Sequence, residues 1–246
     1  MSDITRRDAL TAAGMGACFL KFALGSRAFA QSSAKLPDYI LRIDELTAAL
    51  RGQIITDEEW RSGLDQLYAQ ISLIDLLKDI RFDELATKTG FAEKGVAARP
   101  THFAQGVNGK RLAFWPKLIA VDKGRAIIPH GHTNMVSCHF TLSGRFHLRQ
   151  YDQIAMSDQS VLVEPSVDRI AMPGDVSSIG ERSDNVHWFI AEEPSHTLDI
   201  IVTGLDPEAE KTFDILNLDM DEALPQANGQ LEVPRLGVSE AVAKYG

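Results

Sequence analysis

Basic residues are in short supply in this 246-residue chain: 25 Lys and Arg stand against 34 Asp and Glu, a formal net charge of −9 at pH 7. No basic arm or cluster offsets that balance, which argues against binding to nucleic acid or to an anionic membrane surface. Cysteine is scarcer still. Cys18 and Cys138 are the only two, too few for a disulfide framework. A Gly-rich phosphate loop, a dinucleotide fingerprint and a serine set between glycines in a nucleophile elbow are also missing, which argues against the corresponding NTPase, dehydrogenase and hydrolase classes. Internal repeats and low-complexity tracts are absent. What is there is an ordinary globular composition, 44% hydrophobic and 24% charged, long enough for one full-sized domain plus extensions.

The first thirty residues read as a processing segment. Arg6-Arg7 precede a weakly apolar Ala/Gly-rich stretch, and Ala28-Phe29-Ala30 before Gln31 forms a small-x-small cleavage site. The stretch resembles a bacterial twin-arginine export signal, which implies engagement with the Tat export machinery, cleavage after Ala30 and a periplasmic or secreted product. Lys21 interrupts the apolar run, which is too short to span a bilayer, so no stable membrane insertion is expected after cleavage. Removal of residues 1–30 takes four basic and two acidic residues, leaving 21 and 32. Cys18 leaves with them, so Cys138 is the single remaining thiol.

Residues 31–100 form an N-terminal helical region. Thr56 and Glu59 have capping-box spacing, and Trp60, Leu64, Leu67, Tyr68, Ile71, Ile74 and Leu77 continue an apolar stripe at helical period. That stripe needs a partner surface, either the rest of the domain or a second subunit, and a homodimer is expected. From 101 to 205 the character changes to short β-branched runs, among them Met135–Leu142, Arg145–Tyr151 and Val186–Ala191. They are punctuated at Asp122-Lys123-Gly124, Ser143-Gly144 and Pro173-Gly174-Asp175. Such spacing predicts a mainly β sandwich or small barrel. Residues 206–246 are acidic and irregular, with a short helix near Ser239–Tyr245.

The strongest chemical signal is His130-Gly131-His132. Two residues apart on a strand means one face, so both imidazoles can reach one point, as ligands of a metal ion must. Gly124, His130, His132 and Gly144 resemble the first motif of the cupin superfamily, and Pro173-Gly174 followed by His187 resembles the second. The resemblance covers residues 110–205 and implies a single jelly-roll-like cupin β-barrel with His130, His132 and His187 as metal ligands. Ser137 stands where many cupins carry a glutamate ligand, and a hydroxyl is a poor substitute for a carboxylate. A three-histidine site lacking that glutamate resembles the cysteine and aminoethanethiol dioxygenases. So does Asp184-Asn185-x-His187 followed by Leu198-Asp199-Ile200. The expectation is an exported non-haem Fe(II) dioxygenase acting with dioxygen on a small thiol or other anionic substrate; Mn, Ni or Zn are alternative metals. The competing readings are a metal-dependent cupin isomerase or lyase, and a non-catalytic periplasmic cupin that binds a metabolite or metal.

Strand parity places Ser137 and His139 on one inward face, with His139 a candidate catalytic donor, fourth ligand or hydrogen-bonded core histidine. Cys138, of opposite parity, reads as a buried small hydrophobe. Tyr151 is a second catalytic candidate. His147 and Arg149 alternate with it, and with Ser137, Asn185 and Phe189 they make up the candidate substrate-binding set, although an outward, solvated face is the commoner case for an alternating polar group such as His147, Arg149 and Tyr151. Trp188 points the other way from His187, and His102 and His196 read as structural or exposed.

Overall fold

A computed structural model describes residues 37–105 and 111–246. The export-signal reading falls on residues 1–30, outside the described part. By contact clustering the described residues up to Leu41 separate from those beyond it, and the latter carry every strand among the described residues. Among the described residues no helix is long and apolar enough to cross a membrane.

Four helices come first: α1 (Asp38–Arg51), α2 (Asp57–Tyr68), α3 (Leu73–Asp79) and α4 (Phe82–Thr89). The capping box forms as the spacing predicts. The Thr56 hydroxyl accepts from the Glu59 amide at 3.1 Å, and the Glu59 carboxylate accepts the Thr56 amide at 2.8 Å. The apolar stripe does not run through to Leu77. The helix stops at Tyr68, Ser72 caps a new one, and the turn leaves Ile74 78% exposed while Leu76 is buried instead.

Twelve strands follow: β1 (Ala97–Pro100), β2 (Trp115–Val121), β3 (Ala126–Thr133), β4 (Met135–Ser143), β5 (Phe146–Met156), β6 (Ser160–Ala171), β7 (Val176–Ile179), β8 (Val186–Ala191), β9 (Ser195–Thr203), β10 (Asp214–Asn217), β11 (Leu224–Pro225) and β12 (Leu231–Pro234). Helix α5 (Val238–Tyr245) ends the chain. The strands form two antiparallel sheets in the orders β1-β2-β9-β4-β7 and β10-β3-β8-β5-β6-β12-β11. Within them β2 pairs with β9, β3 with β8, β4 with β7 and β5 with β6. Pairs nested in this way are what a long hairpin produces when it rolls up with successive strand pairs in alternate sheets, the jelly-roll arrangement. The fold is mainly β, as expected.

Both sheets are covered on the inner face and on part of the outer face. Between them, Ile119 and Val121 of the first pack against Ile127, Phe146, Leu148, Phe189 and Ala191 of the second. The outer face of the first sheet carries Phe140, which stacks on Tyr68 of α2 with ring centroids 4.7 Å apart. The outer face of the second is covered in part by the C-terminal segment. Leu216, Leu218 and Val233 pack there against Tyr151, Val161, Val163 and Val186, and Tyr245 of α5 meets Trp188 edge-on at 5.2 Å. Eight of the nine β4 positions are buried for this reason.

Two glycines are required by close approach. Gly144 has φ +73, and a β-carbon there would lie 2.2 Å from Ser195 Oγ. At Gly131 a β-carbon would stand 2.6 Å from the Asn185 side-chain oxygen.

Candidate functional site

The inner face of β3 changes phase at a bulge. Ile127 pairs with Phe189 and His130 with His187, so three steps on β3 match two on β8. The extra residue falls at Ile128-Pro129, and proline, lacking an amide hydrogen, belongs at such an irregularity. The shift brings Ile127 and His130, of opposite parity, to the same face. It also frees the Ile128 carbonyl, which accepts from His130 Nδ1 at 2.8 Å.

The three histidines meet at this end of the space between the sheets. Ring centroids are 4.1 Å apart for His130 and His187, 5.5 Å for His132 and His187, and 6.3 Å for His130 and His132. His132 and His187 are buried, while His130 keeps a partly exposed edge. The Asn185 carbonyl accepts from His187 Nδ1 at 2.9 Å. With Nδ1 donating in both His130 and His187, each Nε2 carries the lone pair. Neither ring nitrogen of His132 makes a hydrogen bond of sound geometry, an uncommon condition for a buried polar group, although the Met135 backbone lies near enough to favour its charged form.

Burial dominates the protonation of all three. It pushes His130 down to about 4, partly opposed by the Ile128 carbonyl. It pushes His132 down to about 3, aided by the neighbouring His130 and partly opposed by the Met135 backbone. His187 lies well below the ordinary imidazole value, for burial first and then for the adjacent His130 and His132. At neutral pH the rings are therefore uncharged, the form in which imidazole ligates a cation. Among the described residues no group of three His, Cys, Asp or Glu side chains stands in metal-holding geometry. The donor types are nevertheless those that could hold a divalent ion: two oriented imidazoles with bare Nε2 atoms and a third, buried imidazole with no well-formed hydrogen bond.

Opposite the histidines a polar row crosses the first sheet in register. Lys117 pairs with Asp199, Asp199 with His139 and His139 with Ser177, on β2, β9, β4 and β7. Lys117 Nζ lies 3.4 Å from Asp199 Oδ2, and His139 Nε2 lies 3.7 Å from Asp199 Oδ1. Asp199 Oδ1, His139 Nδ1 and Ser177 Oγ have no hydrogen-bond partner. The His139 ring faces His187 at 5.7 Å and Phe189 at 4.7 Å, and burial lowers its pKa, with Asp199 opposing. Ser137 is buried on the same strand face. Phe189, 1% exposed, forms an apolar wall with Phe146, ring centroids 5.7 Å apart.

Three candidates on β5 lie elsewhere. Phe146 and Leu148 fill the inter-sheet core, so the alternate residues must face outward. His147 Nε2 meets the exposed Asp168 at 2.5 Å. Arg149 lies 3.6 Å from the same carboxylate and sits over the Trp188 ring at 5.2 Å. Tyr151 belongs to the apolar cluster beneath the C-terminal segment. These placements set His147, Arg149 and Tyr151 apart from the histidine cluster, on the outward side of β5. Asn185 is also reassigned: its amide is engaged entirely with backbone groups. The residue missed on β5 is Gln150. It pairs with His187, is 4% exposed and has no partner for Nε2; its parity with Phe146 and Leu148 was the available signal.

His196 bonds Ser143 Oγ at 2.9 Å, and His102 packs on Phe103, structural positions for both. Cys138 is fully buried, and burial raises its thiol well above the usual range.

No protein-family model matches the chain, and no curated protein is significantly similar to it. Solved structures with similar strand arrangements include a cupin superfamily protein from Desulfitobacterium hafniense, 12% identical over 48% of this chain and 86% of that one, with a TM-score of 0.33. An RmlC-like cupin from Shewanella frigidimarina is 14% identical over 47% and 84%, TM-score 0.33. KdgF from a Halomonas species is 17% identical over 44% and 77%, TM-score 0.32. The architecture rests on the nested strand pairs described above.

Proposed function

We propose that this chain is a cupin-type protein that holds one divalent metal ion on His130, His132 and His187 and, with ferrous iron, adds dioxygen to a small thiol. The observation that carries the reading is the buried His132 ring, with no well-formed hydrogen bond on either nitrogen, beside two imidazoles whose Nδ1 atoms are tied to backbone carbonyls. Ferrous iron would supply the electron exchange with dioxygen and coordination positions left open by a three-ligand set. The net reaction RSH + O2 → RSO2H balances without an external reductant. Around it, Phe146 and Phe189 exclude water from one side. Gln150, His139 and Asp199 offer the unpaired donors and acceptors that orient a small polar substrate. Export before function follows from the twin-arginine resemblance and belongs to the same proposal.

Metal analysis and oxygen uptake test it together. The expected result is about one divalent ion per chain, lost in His132→Ala and His187→Ala, and thiol-dependent oxygen consumption after anaerobic ferrous loading. Unchanged metal content in both variants overturns the site. Metal binding without oxygen uptake on any small thiol overturns the dioxygenase and leaves the isomerase, lyase and binding-protein readings.

A further inference from the structure

Asn185 joins two of the three histidines and is itself gripped from outside the histidine cluster. Its side-chain oxygen accepts the His132 amide at 3.1 Å. Its side-chain nitrogen faces the carbonyls of His132, Gly180 and Glu181 at 2.8, 2.9 and 2.9 Å. Its backbone carbonyl fixes His187 Nδ1. One fully buried residue therefore sets the backbone at one histidine and the ring orientation at another, on two different strands. Gly131 permits this, since any side chain there would meet the amide.

The segment that presents Asn185, residues 180–184, is held in turn by α2. The Asp57 carboxylate accepts the Glu181 amide at 3.1 Å. Arg61 donates from Nη1 to the Ser183 carbonyl at 3.2 Å and from Nε to the Ser178 hydroxyl at 3.3 Å, and its Nη2 pairs with the Asp184 carboxylate. Asp184 also accepts from the Ser166 hydroxyl at 2.7 Å and donates its amide to Asp152 at 2.7 Å. Its φ of +54 is a left-handed conformation that needs such support. Arg61 reaches three separate acceptors with a planar fork, a task a lysine ammonium cannot copy.

We propose that Arg61 is a positioning residue for the histidine site, acting through Asp184 and Asn185 on His132 and His187, so that the N-terminal helices set ligand geometry as well as cover the sheet. The inference rests on the metal reading above but is tested in part without metal. Two readouts are used: Co(II) affinity, and the exchange rate of the His187 Nδ1 proton in metal-free protein, followed by long-range nitrogen–proton NMR. The control is Tyr68→Ala, which weakens the same helix at its other end. Arg61→Ala is expected to weaken Co(II) binding about 10–100-fold, the usual range for groups that orient metal ligands. It should also speed His187 Nδ1 exchange by more than tenfold, with Arg61→Lys failing to restore either. Tyr68→Ala should lower Tm while leaving both readouts near wild type. If Arg61→Ala does not fold, Arg61→Lys, which keeps the charge and loses the fork, makes the same comparison. The proposal is overturned if Arg61 variants change the His187 exchange no more than Tyr68→Ala does. A wild-type protein that binds no Co(II) defeats the metal reading alone, and the exchange measurement still decides the role of Arg61.

Discussion

At the scale of the residue, the site depends on groups that are costly to bury. A neutral imidazole inside the sheets takes up a proton only with difficulty, while the same side chain in the unfolded chain titrates near 6.5. Because His130 and His132 have folded values of about 4 and about 3, the unfolded state binds more protons between those values and 6.5. Stability therefore rises with pH across that window. For metal-free protein, the urea midpoint should hold steady above pH 7 and fall continuously from about 6.5 toward 4, with a shallower fall in His132→Phe. A midpoint independent of pH over that range would contradict the burial of these rings. Gly131→Ala is a second test. Its methyl group would press on the Asn185 amide, and overpacking of this kind costs about 1–3 kcal/mol in urea unfolding.

At the scale of the element, the helices are docked through few but large contacts. Phe140 is 1% exposed and stacks on Tyr68, so Phe140→Ala should cost about 3–5 kcal/mol. Thr56→Ala, which removes only the cap, should cost about 1 kcal/mol. Equal losses from the two would show that α2 is not held by its packing. Much at this scale was legible in the sequence. The capping box, the turn at Gly144 and the parity of β4, with Cys138 and His139 on opposite faces, all follow from local spacing. The illegible parts depended on partners distant in the chain. His147, Arg149 and Tyr151 alternate cleanly, but which face they take is decided by Phe146 and Leu148 meeting the opposite sheet. The bulge in β3 was signalled only by Pro129. The grip of Arg61 on residues 180–184 spans more than a hundred residues, and no local pattern announces it.

At the scale of the whole molecule, a sheet whose outer face is partly covered cannot shed that cover without exposing the apolar surface beneath it. Leu216, Leu218 and Val233 lie on one such face. Deletion of residues 214–246 should therefore give a protein that binds a hydrophobic dye and loses cooperative unfolding. Retention of a sharp transition would mean that the C-terminal segment is an accessory rather than part of the core. The same covering explains why the overall class was readable while the role of the ends was not. Strand punctuation marks a β architecture, but only the rolled-up topology leaves two outer faces for the N-terminal helices and the C-terminal segment to close.

Cys138 gives that arrangement a clock. Its thiol lies on the β4 face that also carries Phe140, fully buried and close enough to Asp65 and Arg61 of α2 to feel their charges. An alkylating reagent can reach it only through an opening that exposes this covered face of β4. Where reclosing outpaces alkylation, the labelling rate reports the free energy of that opening under native conditions, and it reports the opening rate itself only when the reagent outpaces reclosing.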